Sequence, residues 1–187
     1  IELHLQGKID DESLLLYYQP EVDLWSGAIV AVEALVRWRH PTRGLLLPGS
    51  FISIAESANL ADDLGRWVMR SACAEFSGWQ ANGVRTNATL RINVSPVQLA
   101  ARGFVQNVVD TINEFGLRPG SLCLEITERA VVQNIETTRR TLAELREVGV
   151  QIAIDDFGTG YSVLSHLKDL PVDTLKIDTV FVRELGV

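Results

Sequence analysis

Two adjacent carboxylates, Asp155 and Asp156, stand where an apolar strand gives way to a glycine-rich turn, Gln151-Ile152-Ala153-Ile154-Asp155-Asp156-Phe157-Gly158-Thr159-Gly160-Tyr161-Ser162. Neighbouring aspartates repel each other unless a cation or a proton neutralises them. Turn chemistry alone also selects Asp, so the pair gains meaning only if other strands repeat the pattern. They do. Strand side chains alternate between two faces. The parity opposite the aliphatic residues carries Glu33 and Arg37 in one strand, Arg91 and Asn93 in the next, then Cys123, Glu125 and Thr127, then Asp155, then Lys176 and Asp178. Three carboxylates and an asparagine converging from strand ends form an oxygen-rich set suited to Mg²⁺ or Mn²⁺. Asp156, one residue further on, lets two metals share the site, an arrangement suited to phosphodiester hydrolysis. Lys176 balances the carboxylates, orients or deprotonates a water, or stabilises phosphorane charge. The three histidines, His4, His40 and His166, lie away from these positions and form no zinc pattern.

The elements that must present these residues follow from periodicity. A helical lead-in is expected over Ile1 to Lys8, and a strand over Leu14 to Gln19, stopped by Pro20. Glu21 to Gly27 reads as a turn, and Ile29 to Trp38 as a second strand that can form a hairpin with the first. His40 to Gly49 reads as a loop, followed by a short helix capped by Ser50. Asp62 and Asp63 open a longer helix whose apolar stripe, including Trp67 and Trp79, is ordinary core. A strand over Leu90 to Val94 precedes a helix start at Ser95-Pro96-Val97-Gln98 and a stripe ending at Gly116. Leu122 to Thr127 is a strand, and one helix runs from there to Val148. The Asp155 strand, a short helix around Leu164 and Leu167, and a strand over Thr174 to Asp178 complete the order. Alternation of strand and helix from Leu90 onward predicts a parallel sheet with crossover helices. Inward residues at the C-terminal ends of such strands are where barrel enzymes build their sites.

Composition narrows the function classes. The 187 residues are 47% hydrophobic and suit a single domain with a sizeable core. No apolar run has the length of a membrane span. A net charge of -7 argues against an extended nucleic-acid partner held by basic surface. Cys73 and Cys123 form no paired motif and read as small core residues, so a reducing, cytoplasmic setting is expected, with no direct membrane insertion.

Glu33-Ala34-Leu35 followed by Val36-Arg37-Trp38 resembles the signature of the EAL domain family, the bacterial cyclic di-GMP phosphodiesterases. Tyr18-Gln19-Pro20, Asn93-Val94-Ser95, Glu125-Ile126-Thr127-Glu128, Asp155-Asp156-Phe157-Gly158-Thr159-Gly160-Tyr161-Ser162 and Leu175-Lys176-Ile177-Asp178 match in order, over nearly the whole chain. The resemblance implies an α/β fold, a modified (β/α)8 TIM-like barrel with an antiparallel first strand. It implies Mg²⁺- or Mn²⁺-dependent opening of cyclic di-GMP to linear pGpG. Carried over by residue, Glu33, Asn93, Glu125, Asp155 and Asp156 are expected as metal ligands, with Lys176, Glu33 and Asp155 as the catalytic set. Gln19, Leu35, Arg37, Asn93 and Asp178 are expected to contact substrate, Arg37 through a phosphate. Glu128 is expected to steady the loop over Phe157 to Ser162, which in the family is linked to dimerisation, so a homodimer is expected.

Family members continue beyond the Lys-Ile-Asp strand with two more strand-helix units and a further glutamate, which residues 1–187 do not include. The chain therefore reads as one EAL-type domain, residues 1–187, taken from a larger signalling protein with sensory or diguanylate cyclase neighbours. If Val187 is the true terminus, an exposed strand edge, self-association and weak hydrolysis are expected. The alternative function is a non-catalytic cyclic di-GMP receptor of the same fold. Such receptors typically lose metal ligands, and every ligand within residues 1–187 is intact here. An enolase-like lyase is a third reading, weighed against by Arg37 and the paired Asp.

Overall fold

The computed structural model describes residues 13–84, 87–158 and 167–183. Its first two strands, β1 (Leu14–Val22) and β2 (Ile29–His40), form the expected antiparallel hairpin. Asp23 closes the turn by accepting hydrogen bonds at Oδ1 from the backbone of Trp25 and Ser26 and from the Ser26 hydroxyl. Gly27 there takes a φ of 67°, which a side chain would resist. Pro20 does not stop β1. It sits opposite Val32, and β1 runs two residues further, because β1 is the end strand of the sheet and a proline on an edge forfeits no ladder bond.

The sheet order is β1-β2-β4-β5-β6-β7, with β4 (Thr89–Asn93), β5 (Leu122–Thr127), β6 (Gln151–Phe157) and β7 (Thr174–Ile177) parallel to β2 and to one another. This is the expected mixed α/β architecture with an antiparallel first strand. The loop expected over His40 to Gly49 holds one more short strand, β3 (Gly44–Leu46), which turns back on β2 at Gly44. Ser50 lies in a 3-10 turn (Pro48–Ser50), and the next helix, α1 (Ile52–Ser57), starts from Phe51 with no side-chain cap. Its anchor is hydrophobic: the fully buried Phe51 ring meets Trp38 edge-on at 5.8 Å.

Helix α2 (Ala61–Ala81) begins with Asp62 and Asp63, as expected, and buries Leu64, Val68, Ala72 and Phe76 against the sheet. Trp79 packs edge-on against Tyr18 at 4.6 Å, a core role. The predicted capping box is present at α3 (Pro96–Leu99), between Ser95 and Gln98, but the helix ends after one turn and α4 (Phe104–Phe115) starts anew from Gly103. The helix expected to run on to Val148 is two: α5 (Glu128–Gln133) and α6 (Ile135–Glu147). Asn134 breaks them at φ -155° and ψ 77°, and its side chain accepts from the Thr137 N–H to cap the second. Leu142 and Leu145 are fully buried, as expected.

Gly65 in α2 faces the buried Gln98 amide so closely that a Cβ would fall inside it. Gln98 is held there by its bond to the Ser95 N–H. Gly65→Ala is therefore expected to destabilise by about 1–3 kcal/mol, despite the better helix propensity of alanine. A urea titration with a midpoint at or above wild type would refute this.

The lead-in over Ile1 to Lys8, residues 159–166 with most of the Leu164 helix, and Val187 lie outside the described residues. Among the described residues no helix is long and apolar enough to cross a membrane.

Candidate active site

Adjacent parallel strands set the register. Glu33 lies beside Arg91, Arg91 beside Cys123, Asn93 beside Glu125, and Thr127 beside Asp155. The aliphatic parity, with Ala34, Ile92, Leu124 and Ile154, packs beneath the helices. The other parity therefore gathers Glu33, Asn93, Glu125, Asp155 and Lys176 on the inner face of the sheet. Glu33 sits in the middle of β2 rather than near its end, because β2 extends past the parallel sheet to pair with β1 and β3.

Lys176 is the centre. Its ammonium lies 2.6 Å from Glu125 Oε2, 3.0 Å from Glu33 Oε2 and 3.5 Å from Asp155 Oδ2. Asn93 Nδ2 donates to the other Glu33 oxygen at 2.8 Å. Glu125 is wholly buried. Burial pushes its carboxyl up to about 7, the Lys176 ammonium pulls it back, and Glu33 and Asp155 add to the rise. Burial alone would weaken the charge on Lys176, but its bonds to Glu125 and Glu33 hold it above the usual lysine value. Lys176 is thus a charged donor in this arrangement.

Asp156 departs from strand geometry. The strand runs on to Phe157, past the expected end, and the β6-β7 register slips between Ile154 and Phe157. Asp156 takes a φ of 53°, a left-handed conformation that Asp tolerates better than most residues. Its N–H donates to Asp155 Oδ1 at 3.0 Å. Its exposed side chain has its carboxyl pushed up by partial burial and by Asp155 and Asp178. Asp178, expected as the last residue of the final strand, follows β7 and accepts from the Val180 N–H to cap a 3-10 turn, Thr179–Phe181. Glu128, nearly buried, accepts from the Gly158 N–H at 3.0 Å, at the start of the loop it is expected to steady; Thr159 to Ser162 lie outside the described residues.

The residues expected to contact substrate are placed as follows. Gln19 is exposed and stands opposite Glu33. Arg37 donates to the Val36 carbonyl and lies over the Tyr17 ring at 5.6 Å. Leu35 and Asn93 line a cavity of about 420 Å³, with Ile52, Glu56, Pro96 and Thr127 on its walls. The cavity thus meets the charged cluster at Asn93.

Two inner residues escaped the sequence reading of function. Glu21 and Arg91 form an ion pair at 3.0 Å. Oxygens of Glu21, Glu33 and Glu125 all lie within 4.8 Å of one another, a cluster able to hold a metal ion. Ending the first strand at Pro20 removed Glu21 from the inward parity, whereas Arg91 was on it without a role.

The family model of the EAL domain matches residues 3–187. The chain belongs to the EAL domain family. The bifunctional diguanylate cyclase/cyclic di-GMP phosphodiesterase MucR of Pseudomonas aeruginosa is 39% identical over 182 residues, which are 97% of this chain and 26% of MucR. Protein Rv1354c of Mycobacterium tuberculosis is 63% identical over 186 residues, 100% of this chain and 30% of that protein. This EAL domain thus spans 30% or less of the length of these relatives. The solved complex of the MucR phosphodiesterase with c-di-GMP superposes with a TM-score of 0.92 over 99% of this chain and 75% of that one, at 39% identity. The EAL domain of Mycobacterium smegmatis DcpA gives 0.78 at 60% identity, over 92% of this chain and 69% of that one. The fold is accordingly that of the TIM-like barrels of this family.

Proposed function

We propose that this EAL domain hydrolyses cyclic di-GMP to linear pGpG with Mg²⁺ or Mn²⁺, in the cytoplasm, as one part of a multidomain signalling protein. The observation that carries this reading is the convergence of Glu33, Glu125 and Asp155 from three strands on the single ammonium of Lys176. Carboxylates brought this close already require a cation, and the oxygen donor set fits a hard divalent ion. Glu33, Asn93, Glu125, Asp155 and Asp156 would hold such ions, which would polarise a phosphoryl oxygen and make water nucleophilic at neutral pH.

The residues of the chain supply the rest. Lys176, kept charged by its neighbours, orients the attacking water by hydrogen bonding and offsets charge gathering on the phosphoryl group. Arg37, braced on Tyr17, meets a substrate phosphate. Gln19 and Asp178 contact the dinucleotide from the rim. Leu35 and the apolar wall around Ile52 take a base and keep water away from it. Glu128 fixes the backbone at Gly158 and hence the Asp155-Asp156 strand end. A homodimer through the loop after Gly158 accords with the family resemblance.

The test is chromatography of pGpG released by the full-length protein, with a single-stranded RNA as the competing substrate. Release that stops on chelation, returns with Mg²⁺ or Mn²⁺ and greatly exceeds RNA cleavage is the expected result. Binding of cyclic di-GMP without turnover would replace the hydrolase with a receptor. Equal cleavage of RNA would overturn the selectivity read from the net charge of -7.

A further inference from the structure

Beneath the site lies a second charged layer. Arg91 and Glu21 project into the barrel from β4 and β1, with Nε of Arg91 3.0 Å from Glu21 Oε2. Arg91 is only 9% exposed. One of its terminal nitrogens, Nη1, donates to Cys123 Sγ at 3.4 Å and lies 3.6 Å from Glu125 Oε1. That Glu125 oxygen is buried and accepts no hydrogen bond among the described residues. Glu125 thus accepts from Lys176 at one oxygen at 2.6 Å, while the Arg91 guanidinium lies 3.6 Å from the other, close enough for charge attraction but not for a hydrogen bond.

A buried arginine-glutamate pair is an expensive way to fill a barrel. Desolvating two ions costs several kcal/mol, and well-packed apolar residues of similar volume commonly match or exceed such a pair in stability. Lower layers of barrels are ordinarily filled by branched aliphatic residues. Packing alone therefore gives no reason for a guanidinium here. Its position does. Arg91 has the Glu21 carboxylate 3.0 Å from its Nε on one side, as an ion pair without a hydrogen bond, and on the other donates from Nη1 to Cys123, its register neighbour on β5. It has little freedom to do anything but face Glu125. Four carboxylates, Glu21, Glu33, Glu125 and Asp155, stand against two cations, Arg91 and Lys176. The cluster retains two negative charges when all are ionised.

We infer that Arg91 is a positioning residue, locked by Glu21, that holds the Glu125 carboxylate by its inner oxygen so that the outer one faces the metal and substrate side. This inference rests on the proposed metal-dependent reading and adds to it the device that orients one ligand. Outer groups that orient ligands typically contribute 10- to 100-fold in metal affinity or activity.

The experiment uses the full-length protein carrying Glu21→Leu and Arg91→Met together, which removes both members of the buried pair without stranding either charge. Arg91→Lys supplies the conservative variant, and Glu21→Gln, which keeps Arg91, is expected to keep near-wild-type Mn²⁺ affinity; a loss as large as that of the double variant would make Glu21 a ligand and overturn the role of Arg91. Mn²⁺ affinity is measured by calorimetry, turnover of cyclic di-GMP by steady-state kinetics, and folding by thermal melting. The double variant is expected to melt at or above the wild-type temperature, yet to bind Mn²⁺ roughly 10-fold more weakly or more, with kcat reduced and KM little changed. Arg91→Lys keeps the charge without the fork and is expected to fall between the two. A folded double variant with wild-type Mn²⁺ affinity and kcat overturns the inference and leaves the hydrolytic reading intact. Wild-type protein that binds Mn²⁺ but does not turn over the dinucleotide overturns the hydrolytic reading, and the Mn²⁺ affinities still decide the role of Arg91. Wild-type protein with no Mn²⁺ affinity overturns both.

Discussion

Lys176→Ala is expected to lower kcat by roughly a thousandfold, the scale seen when a preorganised donor to developing charge is removed. It is expected to leave Mn²⁺ affinity unchanged or higher. The second half follows from the contacts: the ammonium that lies within 3.5 Å of Glu33, Glu125 and Asp155 is the only positive charge placed among all three in the described residues. Removing it leaves three carboxylates in mutual repulsion, and an added divalent ion relieves more of that repulsion than before. Steady-state kinetics beside a calorimetric Mn²⁺ titration checks both halves. A variant with intact kcat and a raised KM would make Lys176 a binding residue instead.

Glu33→Ala is expected to abolish turnover and to weaken metal binding, and Asp155→Ala to do the same. Each removes one arm of the cluster and leaves the others less able to enclose an ion. The fold is expected to tolerate the change. Glu33 gains from Lys176 and Asn93 but also repels Glu125, whose carboxyl is pushed up in part by that neighbour. These contributions oppose each other, so the melting midpoint should stay near wild type while activity vanishes. Retained Mg²⁺-dependent hydrolysis in either variant would sink the assignment of these residues as ligands.

Much of the architecture was legible because period-two alternation is strong where a strand has one face under helices. The span Leu122–Thr127 agrees residue for residue, and the chemistry-bearing parity of the strands from Glu33 to Lys176 is the one that converges. The misses have separate physical causes. Pro20 ends an interior strand but not one at a sheet edge, which periodicity cannot distinguish. The helical pattern runs straight through Asn134, although Asn is a strong N-cap and its side chain begins a new helix. The strand Gly44–Leu46 is short and held by pairing with β2 rather than by its own pattern. At the site, which residues share a face could be read from spacing. Which of them touch could not, because Arg91 lies beside Glu33 in register yet pairs over the intervening strand β2 with Glu21 on β1.

The central lysine has a consequence for how the protein comes into being. A domain whose clustered acids can be neutralised only by a solute must wait for that solute before it closes, and its folding energy is then largely its metal-binding energy. Here the counterion is covalently part of the polypeptide. It arrives on β7 when that strand docks against β6, and its ion pairs to β2 and β5 stitch together strands 143 and 51 residues away in the chain. Docking of these strands therefore does not require an added ion. On the proposed metal-dependent reading, a newly made chain is expected to complete this part of its structure first and to take up ions afterwards, at a finished surface.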